Sequence, residues 1–486
     1  MASTRAIWAF PGRNRTFTAA VLFAAAVRLI TMFAFRPALW FGGDSADYLA
    51  VALRLHPDAG RASGYGLMLA ALRPFHSFML VAAVQHAMGL AIGLGIYLLL
   101  RARFGLPGWA ATLAVAPVLF DAYQIELEHE LLSDVAFEFL VVAALLAALW
   151  WRRERPAWAE VAAGALLAVA GIVRPIGLPL LALYLGYLLA RRVRWRVAAA
   201  TVLAAALPLA AYLAWFGAAF HVLRLTNSDG IFLWSRTMSF AHCQAMKPSG
   251  AQALLCPPDG ARLAASSYIW IPASPLSKIP GRRFSTAKNE LALRFALRAI
   301  AAQPAGYAGA VLHDFMLSFR WNRPAHPSAS IVARYQFSMA QRAWVPAGMP
   351  TPGGGTVTAD QRVYAGPPTA AATTAHEPYA GFMRGYQRYV YLRGTLLGLI
   401  LILGVAAIAA PAAAPALLAW LSAIAMLAVP AATADFDPRY VVPAVPVACL
   451  AAAVALASRR PAAQPVFCRP AATPLTVSSS SRPSSS

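Results

Sequence analysis

Residues 16–48 read TFTAAVLFAAAVRLITMFAFRPALWFGGDSADY, an apolar run of membrane-span length followed by a polar string that carries the first carboxylates of the chain. A run of that length crosses the hydrocarbon of a bilayer as a helix. Only Arg28 interrupts it, and a guanidinium at that depth is costly unless it snorkels or a neighbouring helix satisfies it. The preceding residues 1–15 hold Arg5, Arg13 and Arg15 and no acid, the pattern of a signal-anchor rather than a cleaved leader.

The rest of the chain repeats this alternation. With 59% hydrophobic residues, 12% charged and a mean hydropathy of +0.58, the composition excludes a soluble domain of this length. Apolar runs at 16–35, 77–100, 108–120, 131–151, 158–173, 176–190, 197–216, 392–410, 412–430 and 441–458 predict an all-α membrane protein. The expected architecture is a polytopic helical bundle of about ten transmembrane helices, with extracytoplasmic juxtamembrane helices and one long outer segment. The net charge of +22 comes from arginines spread over short loops with no continuous basic stripe, so anionic lipid headgroups, and not nucleic acid, are the expected partners.

Sidedness follows from where those arginines fall. Arg101 and Arg103, then Arg152, Arg153 and Arg155, then Arg191, Arg192, Arg194 and Arg196, and finally Arg459 and Arg460 lie on alternate turns, on the side of the basic N-terminus. The positive-inside rule makes that side the cytoplasm and the protein a multi-pass plasma-membrane protein. Residues 37–76, 121–130, 174–175, 217–391 and 431–440 then face outward, and they hold most of the acids. The expected division is an N-terminal transmembrane module (1–216), an extracytoplasmic segment (217–391), C-terminal transmembrane helices (392–458) and a disordered cytoplasmic tail (459–486). Within the outer segment Cys243 and Cys256 are close enough to pair as a disulfide, the alternative being two free thiols. Residues 287–319 carry helical spacing suited to the membrane surface, and 353–374 read as a mobile loop.

Four places offer chemistry. Asp44, emerging beside the Gly42-Gly43 pair, is a candidate general base if the interface raises its proton affinity, or else a cap for the helix that follows. Glu126, Glu128, His129, Glu130 and Asp134 form a dense acidic stretch. If it is helical, Glu126, Glu130 and Asp134 share a face that holds a divalent cation, positions a cationic group or is simply solvated. Arg174 and Arg439 place guanidinium forks at the outer interface, suited to phosphate or to lipid headgroups.

These residues, in this order, resemble the GT-C class of integral-membrane glycosyltransferases, the fold of the protein O-mannosyltransferases and the lipid A aminoarabinose transferase. The likeness covers roughly the first 215 and the last 100 residues. Asp44 and Tyr48 match the acid and tyrosine of the class's first outer loop, and Ser63 to Met68 its small-residue passage into the next spans. Arg103-Phe104-Gly105 matches an inner turn, and Asp134 a later acid. Arg174-Pro175 and Arg439-Tyr440 with Pro443 match two outward-facing arginine strings. The chain departs from the class at Ser45, where a second acid is usual, and in the His129-Glu130 context.

The resemblance implies an enzyme that takes a sugar from a polyprenyl-phosphate donor and passes it, with inversion, to an acceptor glycan, lipid or protein on the outer face. In that picture Asp44 and Asp134 are catalytic, Asp44 as the base, while Tyr48, Glu130, Arg174, Arg439 and Tyr440 bind substrate. No cofactor is required by the resemblance, and a divalent cation remains an option. Two other classes fit a polytopic chain: a transporter or lipid flippase, and a non-catalytic envelope-assembly protein. The outer position of the acids and the lack of repeats favour the enzyme.

Overall fold

The computed structural model describes residues 14–151, 156–258, 260, 262–337, 348–366, 373–406 and 414–458. The predicted tail at 459–486 and the anchor residues 1–13 lie outside the described residues. Among the described residues helix dominates, and strands are confined to four two-residue pieces.

The first apolar run forms α1 (Arg15–Ala34). Its exit, β1 (Phe35–Arg36), leads into α2 (Gly42–Arg54) and α3 (Gly64–Leu72). Helix α4 (Phe78–Ala102) starts where the Ser77 hydroxyl accepts the Leu80 N–H. The next run bends: α5 (Gly108–Phe120) contains Pro117 and gives way at Asp121, whose carboxylate caps α6 (Ala122–His129) by accepting the Tyr123 N–H at 2.8 Å. The α5–α6 angle is 49°. Then come α7 (Asp134–Leu149), α8 (Ala157–Val173), α9 (Gly177–Ala190) and α10 (Trp195–Phe220).

The outer segment holds α11 (Asp229–Thr237), α12 (Thr286–Ala302), α13 (Pro304–Leu317), β2 (Pro350–Thr351), β3 (Gly355–Thr356), α14 (Val357–Ala365), β4 (Thr374–Ala375) and α15 (Tyr379–Tyr389). Helices α16 (Gly394–Ala406), α17 (Ala414–Thr433) and α18 (Ala444–Ser458) complete the bundle.

Among the described residues, five helical stretches are long and apolar enough to cross a membrane: α1, α4, α10, α17 and Pro438–Ser458. The number rises to seven if α5–α6 and α15–α16, bent by 54°, each count as one span. The expected runs near 131–151, 158–173 and 176–190 give helices of 16, 17 and 14 residues, shorter than the about 20 of an average crossing, and they stand outside the count of five to seven. The bundle packs tightly through small residues. A Cβ on Gly177 would lie 2.3 Å from the Gly171 nitrogen, and one on Gly64 would lie 2.8 Å from the backbone of Ile172.

The outer segment has its own apolar core, in which Ile231, Trp234, Tyr268, Phe295 and Ala299 are buried together. Cys243 and Cys256 are joined as a disulfide at its edge. The helical reading of 287–319 corresponds to α12 and α13, separated at Gln303-Pro304. The stretch read as a mobile loop is instead structured over 353–366. Gly353 and Gly354, at φ +82° and +93°, turn β2 back onto β3, and Thr356 caps α14.

Two pairings fix the first outer loop. Phe35 and Arg36 pair antiparallel with Ala375 and Thr374. Leu39 donates its N–H to the His129 carbonyl (2.9 Å) and accepts the Leu131 N–H (3.0 Å), so the two acidic loops are stitched together.

Candidate active site

Helix α2 opens at Gly42, whose φ of +44° lets the chain turn out of Phe41, and the Ser45 hydroxyl accepts the Phe41 N–H at 2.8 Å. Asp44 sits in the first turn but caps nothing, since both of its oxygens are engaged by arginines. Arg61 Nη2 donates to Oδ1 at 2.6 Å, and Arg439 Nη1 and Nη2 both donate to Oδ2 at 3.2 Å. The two strings at opposite ends of the chain therefore meet at one carboxylate.

The guanidinium of Arg439 lies 4.7 Å from the centre of the Phe41 ring and 5.2 Å from that of Tyr440, and its Nε is buried with no hydrogen-bond partner. It is held by stacking and by one carboxylate oxygen, with a donor to spare. Arg174 also stacks on Tyr440, at 5.0 Å, and pairs with Asp134. Tyr48 donates its hydroxyl to Ser133 Oγ (3.1 Å), one residue from Asp134. Asp44, Tyr48, Asp134, Arg174, Arg439 and Tyr440 thus form one continuous patch.

Glu130 is not arranged as the helical-face reading requires. Helix α6 stops at His129 and Glu130 is extended (φ −85°, ψ 146°), so Glu126, Glu130 and Asp134 share no helical face and supply no ready cation site along one. Its backbone carbonyl accepts from Gln85 Nε2 at 2.7 Å.

The electrostatics reverse one expectation. Burial would raise the proton affinity of Asp44, but the charges of Arg61 and Arg439 outweigh it and hold the carboxyl below its ordinary value. Asp47, one turn along α2, goes the other way. Burial, joined by the nearby charges of Asp58 and Asp44, pushes it up to about 7 despite its ion pair with Arg61. Burial likewise raises the Tyr48 phenol to about 12.

Arg61 is the residue sequence reasoning missed. It pairs with Asp44 and Asp47, lies 3.9 Å from Asp58, and stands 5.5 Å from the Trp270 ring of the outer segment. The available signal was the spacing of Asp44 and Asp47, and of Asp58 and Arg61, each three residues apart. Asp437 was also missed as a support: it accepts the Arg439 N–H (3.0 Å) and the Tyr335 hydroxyl (2.8 Å), while the Tyr335 ring stacks on Phe41 at 5.2 Å.

No protein-family model matches the chain, and no curated protein matches it. Among solved structures, the chain is similar to the crystal structure of ArnT from Cupriavidus metallidurans in the apo state. The identity is 13%, over 91% of this chain and 77% of that one, with a TM-score of 0.34. Values at that level assign neither family nor activity, so the functional reading rests on the patch itself.

Proposed function

We propose that the chain is a membrane glycosyltransferase of the GT-C type, moving a sugar with inversion from a polyprenyl-phosphate donor to an acceptor on the extracytoplasmic face. The observation that carries this reading is the contact between Asp44 and an incompletely used Arg439 at the mouth of the last span.

A guanidinium with a spare buried donor and a single carboxylate oxygen for company is poised to exchange that oxygen for phosphate, which it matches bidentately. As the donor phosphate draws Arg439 away, Asp44 loses one of the two cations that depress its proton affinity and becomes a better base. It then takes the proton of the acceptor hydroxyl while that oxygen bonds to the anomeric carbon from the opposite face. The bond from carbon to phosphate oxygen breaks, and the polyprenyl phosphate leaves with the electron pair. Arg439, and Arg174 beside Tyr440, compensate the growing phosphate charge. An open apolar groove between α13 and α17, lined by Tyr307, Val311, Leu312, Phe315, Ile424 and Ala428, is a surface on which a prenyl chain can lie.

The test is consumption of labelled polyprenyl-phosphate sugars by the protein in proteoliposomes. Asp44→Asn is expected to lower turnover by roughly 10²–10⁴, the range of a general base, with expression and melting behaviour preserved. Turnover retained in that variant removes Asp44 from the base role.

A further inference from the structure

A second cluster of charge, apart from the Asp44 patch, holds the residues that lead into the last span. Asp435 accepts the N–H and hydroxyl of Ser266 (2.8 and 2.9 Å), and His326 Nε2 lies 2.7 Å from its Oδ1. Asp314 on α13 accepts the Phe436 N–H (3.2 Å) and Arg236 Nη1 from α11 (2.5 Å), and the same nitrogen is 3.9 Å from Asp435. Arg323, three residues before His326, donates to the Pro438 carbonyl at 3.3 Å. Arg439 is thus placed by contacts that run back through Asp437, Phe436 and Asp435 to four separate stretches of the outer segment, at Arg236, at Ser266, at Asp314 and at Arg323 with His326.

Charge counting singles out the imidazole. Asp314 and Asp435 against Arg236 leave one negative charge uncompensated in a largely buried place. Asp435, Asp314 and Asp437 act on His326 as carboxylates, Arg236 is the cation of the cluster, and Phe436 meets the imidazole edge-on at 5.9 Å. An imidazolium adds a second cation to these carboxylates, whereas a neutral ring leaves Arg236 alone against them. Burial alone would lower the proton affinity of His326, but the hydrogen bond to Asp435 and the charges of the three acids outweigh it and raise it above the ordinary value.

Asp314, His326 and Asp435 each bring a ligand atom within 4.8 Å of the others, close enough for a metal ion. The guanidinium of Arg236 already fills the cationic role there. The 2.7 Å from His326 to Asp435 is the separation of a proton-bridged pair, shorter than that of two ligands on one metal.

We propose that His326 is a positioning residue: its imidazolium clamps Asp435 and so holds the segment that keeps the Arg439 guanidinium on Asp44. The effect on turnover rests on the function proposed above, while the effect on stability does not.

A group whose proton affinity rises on folding contributes stability below its unfolded pKa of about 6.5 that is lost as pH climbs through the higher folded value. Melting of the purified protein in nanodiscs from pH 6 to 9 is therefore expected to show a fall in Tm for the wild type. In an Asp47→Asn background, which removes the carboxyl at about 7 that titrates in the same window, His326→Gln should sit at the alkaline level throughout, and His326→Lys should keep the acid level across the range. Asp435→Asn removes the same contact from the other side and should flatten the profile if His326→Gln fails to accumulate. The donor KM should rise roughly ten-fold in His326→Gln at pH 6.5, the lower end of what a hydrogen bond to a charged group contributes, and His326→Lys should restore it. A melting profile in His326→Gln that matches its Asp47→Asn parent overturns the clamp, as does stoichiometric divalent metal that the same substitution removes. A protein that shows the His326-dependent melting yet consumes no donor keeps the clamp and breaks the reading of the site.

Discussion

Arg28, within the first span, and Arg439, at the mouth of the last, are both guanidiniums paired with a carboxylate, and they are used in opposite ways. Arg28 is saturated. Its Nε and Nη2 donate to Glu128 at 2.7 Å, and its remaining donors reach the carbonyls of Ala24, Val118 and Leu119. Glu128 is further bound by His86 Nδ1 at 2.8 Å, and it fits only because Gly89 has no side chain, since a Cβ there would stand 1.8 Å from Glu128 Oε1. Arg439 spends two donors on a single oxygen at 3.2 Å and keeps Nε unpaired. A fully satisfied buried pair locks helices together, whereas an under-satisfied one at the interface leaves capacity for a ligand.

That contrast can be broken by substitution. Arg28→Met strands Glu128 in the bundle and is expected to destabilise the protein by about 3–5 kcal/mol, read as lost Tm and lost yield, with normal turnover per folded molecule. Arg439→Lys keeps the charge but loses the fork. Its turnover should drop by roughly 10²–10³, as when one transition-state donor is removed, with Tm within a few degrees of the wild type. If Arg28→Met abolishes turnover without loss of fold, or Arg439→Lys unfolds the protein, the assignment of roles is reversed.

Smaller effects sharpen the boundary between site and scaffold. Cys243→Ser opens a loop of 13 residues, and a closed loop of that size contributes about 3 kcal/mol. Limited proteolysis should therefore cut the outer segment faster, while turnover stays within about two-fold because a single edge crosslink lies outside the reacting patch. Asp47 gives a pH signature. Its carboxyl, at about 7 when folded against an ordinary 3.8, binds more protons folded than unfolded between those values, so its contribution to stability is present below about 4 and lost as pH rises to about 7. Asp47→Asn should flatten that part of a plot of Tm against pH. The smallest effect is expected from EDTA, since the arginines supply the compensating charge. Turnover should change by less than about two-fold, and a loss beyond about ten-fold would place a divalent cation in the reaction.

Much of this was legible because membranes impose simple rules. The helical class follows from the apolar runs, and Asp44, Arg174 and Arg439 stand out as ionisable groups at the ends of such runs. Arg61 did not stand out because it lies mid-loop with no motif of its own. It reaches Asp44 only because the chain reverses beyond Leu55, in the left-handed region at φ 50°. The proton affinity of Asp44 was misjudged because its sign depends on two arginines from distant sequence. Hydropathy ends the apolar run at Phe120, but it does not show that α6 continues the same span at an angle, a bend that coincides with Pro117 and the Asp121 cap. The cost of Arg28 was plain, but its partner Glu128, a hundred residues away, needed the packing of α1 on α6 to be seen.

The pairing of β1 with β4, together with the bond from Arg439 to Asp44, has a consequence for biosynthesis. Asp44 leaves the ribosome early, whereas the strand that braces its loop and the second cation that pairs with it are made much later. A nascent chain that has not yet reached Arg439 therefore holds Asp44 with Arg61 as its cation, and the full set of contacts around this carboxylate assembles after the first spans have been made.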